Sequence, residues 1–438
     1  MTIEHANAMP AATWHFLKMN DVEIEIPPAL VTRPLVRERM TGDVPPFGQS
    51  LGALDEAVRL MRAEWAKTHP EPTEQERAER AAVLAAEADA TYGGTAQSTY
   101  QMNADAIEEL RSLAISPDGG MGAEADAYLA HAANEHVAVV SKPNGRVDAQ
   151  VLVSAKMGLE SVAAIDVVAA EGSAVNLTIA VDSSDEPGES SGAEIDEGSI
   201  GVSEAAAGVA GTFVRVFAGK GASVDIVRTQ TLDDGFIDLD DMALLMDDRS
   251  RVTVRQSVLG ADVSYAGLAG DLRGDAAVAT VDTRYLGHGD QKRDFNYVLR
   301  HHGRRTQCNL NANGVLAGDS RKTLRGTIDF IRGCKGAEGS ENETVLLVDE
   351  GVQNKTIPVI LCNEDDVAGN HGATIGHVRE EQLFYLASRG LSQKAAEEMF
   401  VLATLEQAAI DAPDDVSRAG VVRLGEKLKP GFESLMEA

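Results

Sequence analysis

Aromatic residues are scarce in this chain, at 4% of 438 residues, so a groove built to stack bases or sugar rings is not expected. Cysteine is scarcer still: Cys308, Cys334 and Cys362 are an odd number without CxxC spacing. They argue against a disulfide framework or a four-thiolate zinc site and suit a reducing, cytoplasmic compartment. Long apolar runs are missing, none approaching the roughly 20 residues of a spanning helix. The opening MTIEHANAMPAATWHFLK has neither a basic start nor an apolar core, so no secretory leader is expected. Positive charge is in deficit, 39 Lys and Arg against 69 Asp and Glu, for a formal net charge of −30. That balance speaks against nucleic acid and anionic membrane surfaces as partners.

Enzyme signatures are absent as well. AGKGAS places Gly221 where a P-loop needs Ser or Thr after its lysine, and there is no GxSxG or HExxH. The glycines of GNHGATIG lack the spacing and context of a dinucleotide loop. Carboxylate pairs such as Asp365–Asp366 are too common in so acidic a chain to mark an acid–base dyad, and a solvated or turn-capping role is the simpler reading.

What is present is a change of period. The first 140 residues read mostly as helix, with LGALDEAVRLMRAEWAKT, TEQERAERAAVLAAEADATYGG and ADAIEELRSLAI as candidates. From residue 141 apolar residues alternate, as at Val175, Leu177, Ile179 and Val181, or at Leu324, Gly326, Ile328 and Phe330. The bursts recur at roughly 20 to 25 residues between Gly, Asp and Asn turns, a solenoid-like spacing. The fold class expected is mainly β, a right-handed parallel β-helix over 141–377 between an N-terminal helical domain (1–140) and a C-terminal one (378–438). A β-sandwich would alternate similarly. The acidic Ser/Gly stretch at 183–199 reads as a flexible loop between rungs. Helix returns at REEQLFYLASRG, stopped by Gly390, at SQKAAEEMFVLATLEQAAI, capped by Ser392 with Met399, Leu402, Leu405 and Ala409 on one side, and around VVRLGEKL.

Cysteine and histidine carry the remaining chemistry. Lys335 beside Cys334 favours a thiolate there, Cys362 at the end of IPVILC reads as a small buried hydrophobe, and Cys308 is undecided. His301 and His302 are adjacent, so on a strand they face opposite sides and cannot chelate together. His371 and His377, six apart, share a face if extended, with Cys362 nine residues before His371. Thiolate and imidazole together suit iron; a structural histidine is the plainer alternative.

The run DDVAGNHGATIGHVREEQLFYLASRG, from Asp365 to Gly390, resembles the signature of the SufD branch of the SufB/SufD family of iron–sulfur cluster assembly scaffold proteins. GVLAGDSRKTLRGTIDF and ETVLLVDEG are similar to rungs of that family, and TWHFLKMN to its opening; the likeness is strongest over residues 300 to 405. It implies a parallel β-helix with helical ends, a heterodimer with a SufB-type paralogue through the β-helix, and binding of a SufC-type ATPase. That ATPase would meet the C-terminal helices, here around Leu383, Phe384, Tyr385, Leu386, Ser388, Arg389 and Gly390. It implies His371 as a ligand of a transient iron–sulfur cluster at the SufB interface, none being held stably, with Cys362 and His377 as weaker candidates. It leaves room for a homodimer of the isolated chain. Many members carry a cysteine two residues before that histidine; Gly369 stands here. HGAT rather than HEAT favours SufD over SufB, with a merged single scaffold as the alternative. No catalysis is expected of the chain itself. The rival from a different class is a β-helix polysaccharide lyase or hydrolase, which the lack of a leader and of aromatics disfavours.

Overall fold

A computed structural model of the chain describes residues 1–10, 19–27, 31–32, 36–43, 119–133, 135–183 and 207–436. The N-terminal strands are β1 (Thr2–Ala6), β2 (Val22–Glu25), β3 (Val31–Thr32) and β4 (Val36–Gly42), followed by helix α1 (Ala123–Ala132). Then come β5 (Glu135–Val140), β6 (Arg146–Ser154), β7 (Leu159–Ala169), β8 (Ala174–Asp182), β9 (Gly208–Ala218) and β10 (Ser223–Thr231). Next are β11 (Phe236–Met246), β12 (Arg251–Val258), β13 (Val263–Leu272), β14 (Val278–Gly287) and β15 (Lys292–His301). The last strands are β16 (Gln307–Leu316), β17 (Arg321–Phe330), β18 (Ala337–Leu347), β19 (Gln353–Cys362) and β20 (Val367–His377). Four helices close the chain: α2 (Glu380–Ser388), α3 (Gln393–Ile410), α4 (Asp415–Leu428) and α5 (Phe432–Met436).

From β6 onward, even-numbered strands stack in one nine-stranded sheet and odd-numbered strands in another. Each pair of consecutive strands is therefore one turn of a parallel β-solenoid of about eight turns. The pairing is parallel throughout, except that β4 lies antiparallel on β6. The register stacks Ser223, Arg251, Val278, Gln307 and Glu338 in one column, a repeat of 28, 27, 29 and 31 residues. This is longer than the 20 to 25 expected from the sequence, because a turn holds two strands and two corners rather than one burst.

Inward positions fill the core. Leu177, Ile226, Val254, Val281 and Leu310 form one buried column through five turns, each such side chain contributing about 1.5–3 kcal/mol by leaving water. One corner is made by a left-handed residue in seven successive turns: Asn144, Gly172, Gly221, Arg249, Ala276, Arg305 and Gly336 all have φ between 54 and 72°. Each hands its N–H to the carbonyl one turn on, as Ala276 does to Arg304 and Gly336 to Asp366.

The described part of the first 140 residues departs from the helical expectation. It holds β1 to β5 and a single helix, and β3, β4 and β5 join the two sheets, so solenoid pairing begins before residue 141. The valines at 137 and 139, whose neighbours are buried aliphatics, are better served by a sheet than by a helix. The three helical candidates between residues 51 and 115, most of TWHFLKMN and the acidic stretch from 184 to 199 lie outside the described residues. β1, β2 and α1 cover the outer face of the odd-numbered sheet through Ile3, Ile24, Leu129, Phe213 and Leu239. Buried Arg325 fixes this layer, donating to the carbonyl of Met19 at 2.6 Å and to Asp294 at 2.6 Å.

At the other end of the sequence α3 and α4 pack Val401, Leu405, Ala408, Ala409, Val421 and Leu424 onto Leu259, Leu286 and Ala317 at the solenoid's edge. Arg423 binds Asp182 at 2.6 Å and also Asp233, and Gly420 lies so close to Thr231 that a Cβ would collide with it. Ser392 caps α3 by accepting from the Ala395 N–H, and Gly390, at φ 91°, follows α2. Met399, expected on the packed side of α3, is 41% exposed, the buried positions being Ala396, Val401, Leu405, Ala408 and Ala409.

Candidate functional site

Among the described residues β19 and β20 end their sheets, each with a neighbour on one side only. The last turn thus presents two strand edges with unpaired backbone groups, the kind of surface that templates another strand. It also leaves its inward face uncovered. In β20 the inward positions are Val367, Gly369, His371, Ala373, Ile375 and His377. They stack on Ala337, Gly339, Glu341, Glu343, Val345 and Leu347 of β18, which face the core. Every earlier turn buries such residues, but His371 and His377 are exposed and Ile375 is 46% exposed.

The aliphatic column ending at Leu310 continues as Glu341 and then His371. The neighbouring column runs Ile179, Arg228, Gln256, Thr283, Ala312, Glu343 and Ala373. A polar layer therefore sits one turn below the open end. Glu343 accepts from the Tyr285 hydroxyl at 2.9 Å, from Lys322 Nζ and from Thr356 Oγ1. Burial, then Glu343, pushes the Glu341 carboxyl up to about 7, against a weaker pull from Lys322. Burial also lowers Lys322, opposed by Glu343.

The two histidines of the motif share a strand and a face, as the spacing predicted. Six extended residues separate them by about 20 Å, however, so they cannot grip one ion. Nor does Cys362 join His371. It ends β19 in register with Phe330, across the corner from Val367, and His371 lies about 13 Å further along β20. Among the described residues no group of three or more His, Cys, Asp or Glu stands ready to hold a metal ion.

Each cysteine corrects or completes its reading. Cys362 is exposed rather than buried, because β19 has no covering turn; its thiol donates to the Glu364 carbonyl at 3.2 Å. Cys334 is buried, and burial pushes its thiol up to about 11, which overrides the thiolate expected beside Lys335. Cys308 is buried against His301 Nε2 at 3.2 Å, and burial lifts it to about 12. His301 faces inward and His302 outward toward Asp271 at 3.6 Å, as alternation requires.

Helix α2 places the second candidate surface. Phe384 is 77% and Tyr385 55% exposed, Leu383 and Leu386 are half-buried, and Arg389 lies over the Tyr385 ring at 5.1 Å. Ser388 donates to the Tyr385 carbonyl at 2.7 Å. Two exposed aromatics side by side, in a chain with few, form an unpartnered apolar patch.

Sequence reasoning missed Glu341, Glu343, Lys322, Tyr285 and Thr356. The signal was there, Glu341 and Glu343 alternating with Gly339 and Val345, but reading it needs the repeat length that stacks residue 341 under residue 371.

The family described as SUF system FeS cluster assembly, SufBD core domain, matches residues 186–404. The chain is similar to the iron–sulfur cluster assembly protein SufD of Bacillus subtilis (strain 168), 27% identical over 143 residues, 33% of each chain. It is also similar to a SufBD family protein of Mycobacterium tuberculosis (strain ATCC 25618 / H37Rv), 36% identical over 124 residues, 28% of this chain and 15% of that one. A Staphylococcus epidermidis SufBD family protein is 30% identical over 135 residues, 31% of this chain and 29% of its own. These matches span a third or less of each relative's length.

Proposed function

The chain belongs to the SufB/SufD family of iron–sulfur cluster assembly proteins, and on that premise we propose that it is a scaffold subunit of the Suf machinery, without catalysis of its own. It pairs with a SufB-type paralogue through the open end of the solenoid and takes a SufC-type ATPase on its C-terminal helices. The observation that carries this reading is the last turn: two free strand edges around an uncovered inward face that bears His371. A partner solenoid adding strands to β19 and β20 would satisfy the edge groups and seal that face from water. His371 then meets iron or sulfide, the cargo, in a closed space, and no cluster stays on the isolated chain.

Motion reaches the solenoid through a stiff link. Arg423 ties α4 to Asp182 and Asp233, and Arg284 binds Asp411 beyond α3 at 2.8 Å. An ATPase gripping Phe384 and Tyr385 would pull on a helical layer bonded to the β-core rather than hanging from it.

The test is co-expression with the SufB-type and SufC-type proteins of the same cell, followed by size-exclusion chromatography. One co-eluting complex is expected. Substituting Phe384→Ser and Tyr385→Ser together is expected to release the ATPase and keep the paralogue. A chain that elutes alone beside folded partners would contradict the proposal.

A further inference from the structure

Glu341 is 4% exposed and lies in a layer where its neighbour Glu343 takes hydrogen bonds from Tyr285, Lys322 and Thr356. Among the described residues no group donates a hydrogen bond to the Glu341 carboxylate. Ionising a carboxyl buried without a donor is costly, and a cation held beside it would offset that cost. Gly326 supplies the space: a Cβ at that position would overlap both carboxylate oxygens. Any residue larger than glycine would evict the group or close the layer.

Among the described residues only the last turn stands above Glu341. The register places His371 on Glu341 and Pro358 on Gly326, at the strand spacing of about 4.8 Å. The inward neighbours of His371 on β20, Gly369 and Ala373, bring no side-chain donor. The carboxylate of one turn and the imidazole of the next are thus the two metal-competent groups of a single inward column, and the aliphatic residues below them end at Leu310.

We infer that Glu341 and His371 form a two-residue donor set for a divalent transition-metal cation, ferrous iron in the setting of the proposed function. Carboxylate with imidazole is a hard-to-borderline pair, suited to Fe(II), Co(II) or Zn(II) and poor for copper(I) or a thiolate-held cluster. The remaining coordination positions face the open end, where water or a partner's ligand completes the shell. This deepens the reading of His371 as the cargo contact and rests on it: the chain offers iron rather than sulfur, with Cys362 too far along the turn to contribute. Lys322 stays on Glu343 and leaves Glu341 to the ion.

The test uses the full chain alone, anaerobically, titrated with Co(II) and read by its d–d absorption, then with Fe(II) by calorimetry. Glu341→Gln and His371→Ala are each expected to weaken Co(II) binding roughly tenfold or more, and the double variant no further than the weaker single one. Far-UV circular dichroism and melting establish that each variant folds. Should Glu341→Gln fail to fold, Glu341→Asp, which withdraws the carboxylate by one methylene, is expected to weaken binding while keeping the fold. Binding by Glu341→Gln or a folded Glu341→Asp equal to that of the parent, with His371→Ala impaired, would overturn the pair and leave the His371 reading standing. Equal binding by all variants, or no saturable Co(II) binding by the parent chain, would overturn both.

Discussion

Cys308, Cys334 and Cys362 gather around one corner of the last three turns, on either side of or within the stacked bends that Arg305 and Gly336 make. Burial divides them. Cys308 and Cys334 are enclosed with thiols pushed up to about 12 and 11, while Cys362 is exposed. Native protein treated with a neutral alkylating agent is therefore expected to lose one thiol quickly, and peptide mapping to place it at residue 362. Rapid loss of a second thiol would mean that the corner opens. His301 makes the second residue-scale prediction. Its ring is stacked on Phe330 at 4.9 Å and meets Thr306 at 2.7 Å. Burial, then His302, pulls its pKa from 6.5 down to about 4. Between those values the unfolded chain binds the proton and the folded chain does not, so its contribution is whole above about 6.5 and lost as pH falls toward 4. Denaturation at pH 7 and pH 5 should show a smaller acid-induced loss of stability in His301→Gln than in the parent; equal losses would refute this.

Among the elements, the left-handed corner has the clearest consequence. Gly172, Gly221 and Gly336 adopt it freely, whereas Ala276, at φ 57°, holds a Cβ against the following carbonyl. Relief of that clash outweighs glycine's extra unfolded-state entropy, so Ala276→Gly should gain about 0.5–1 kcal/mol. A urea midpoint raised at constant slope would show it; a lowered midpoint would mean that the corner tolerates the Cβ without strain. The same corner explains what the sequence concealed. Strand alternation was legible because inward Val, Ile and Leu alternate with polar residues in β8, β12 and β17. The repeat was not, because Asn, Arg, Ala and Gly all fill its marker position and a turn spends two strands per repeat. Helices α2 and α3 were legible through Gly390 and Ser392, whose end signals act locally. In the described N-terminal part, β3 and β4 depend on partners a hundred or more residues away, Val31 on Leu159 and Val36 on Val153, and no local pattern announces that.

For the whole molecule, the site follows from where the solenoid stops. His371 was legible as a residue from its motif, yet its setting was not: Glu341 beneath it, Cys362 remote from it and the absence of a covering turn all depend on the stacking register. No described helix is long and apolar enough to cross a membrane, and the helical layer is bonded to the side of the β-core, leaving β19 and β20 as its uncovered end. A partner seated there would convert exposed strand edges into ladder hydrogen bonds, which slow amide exchange more than any side-chain contact does. The most direct measurement is hydrogen–deuterium exchange of this chain with and without its SufB-type paralogue. The account predicts strong new protection of Val367–His377 and of Gln353–Cys362, with the corner residues of the early turns unchanged. Unaltered exchange in both strands within a stable complex would contradict it.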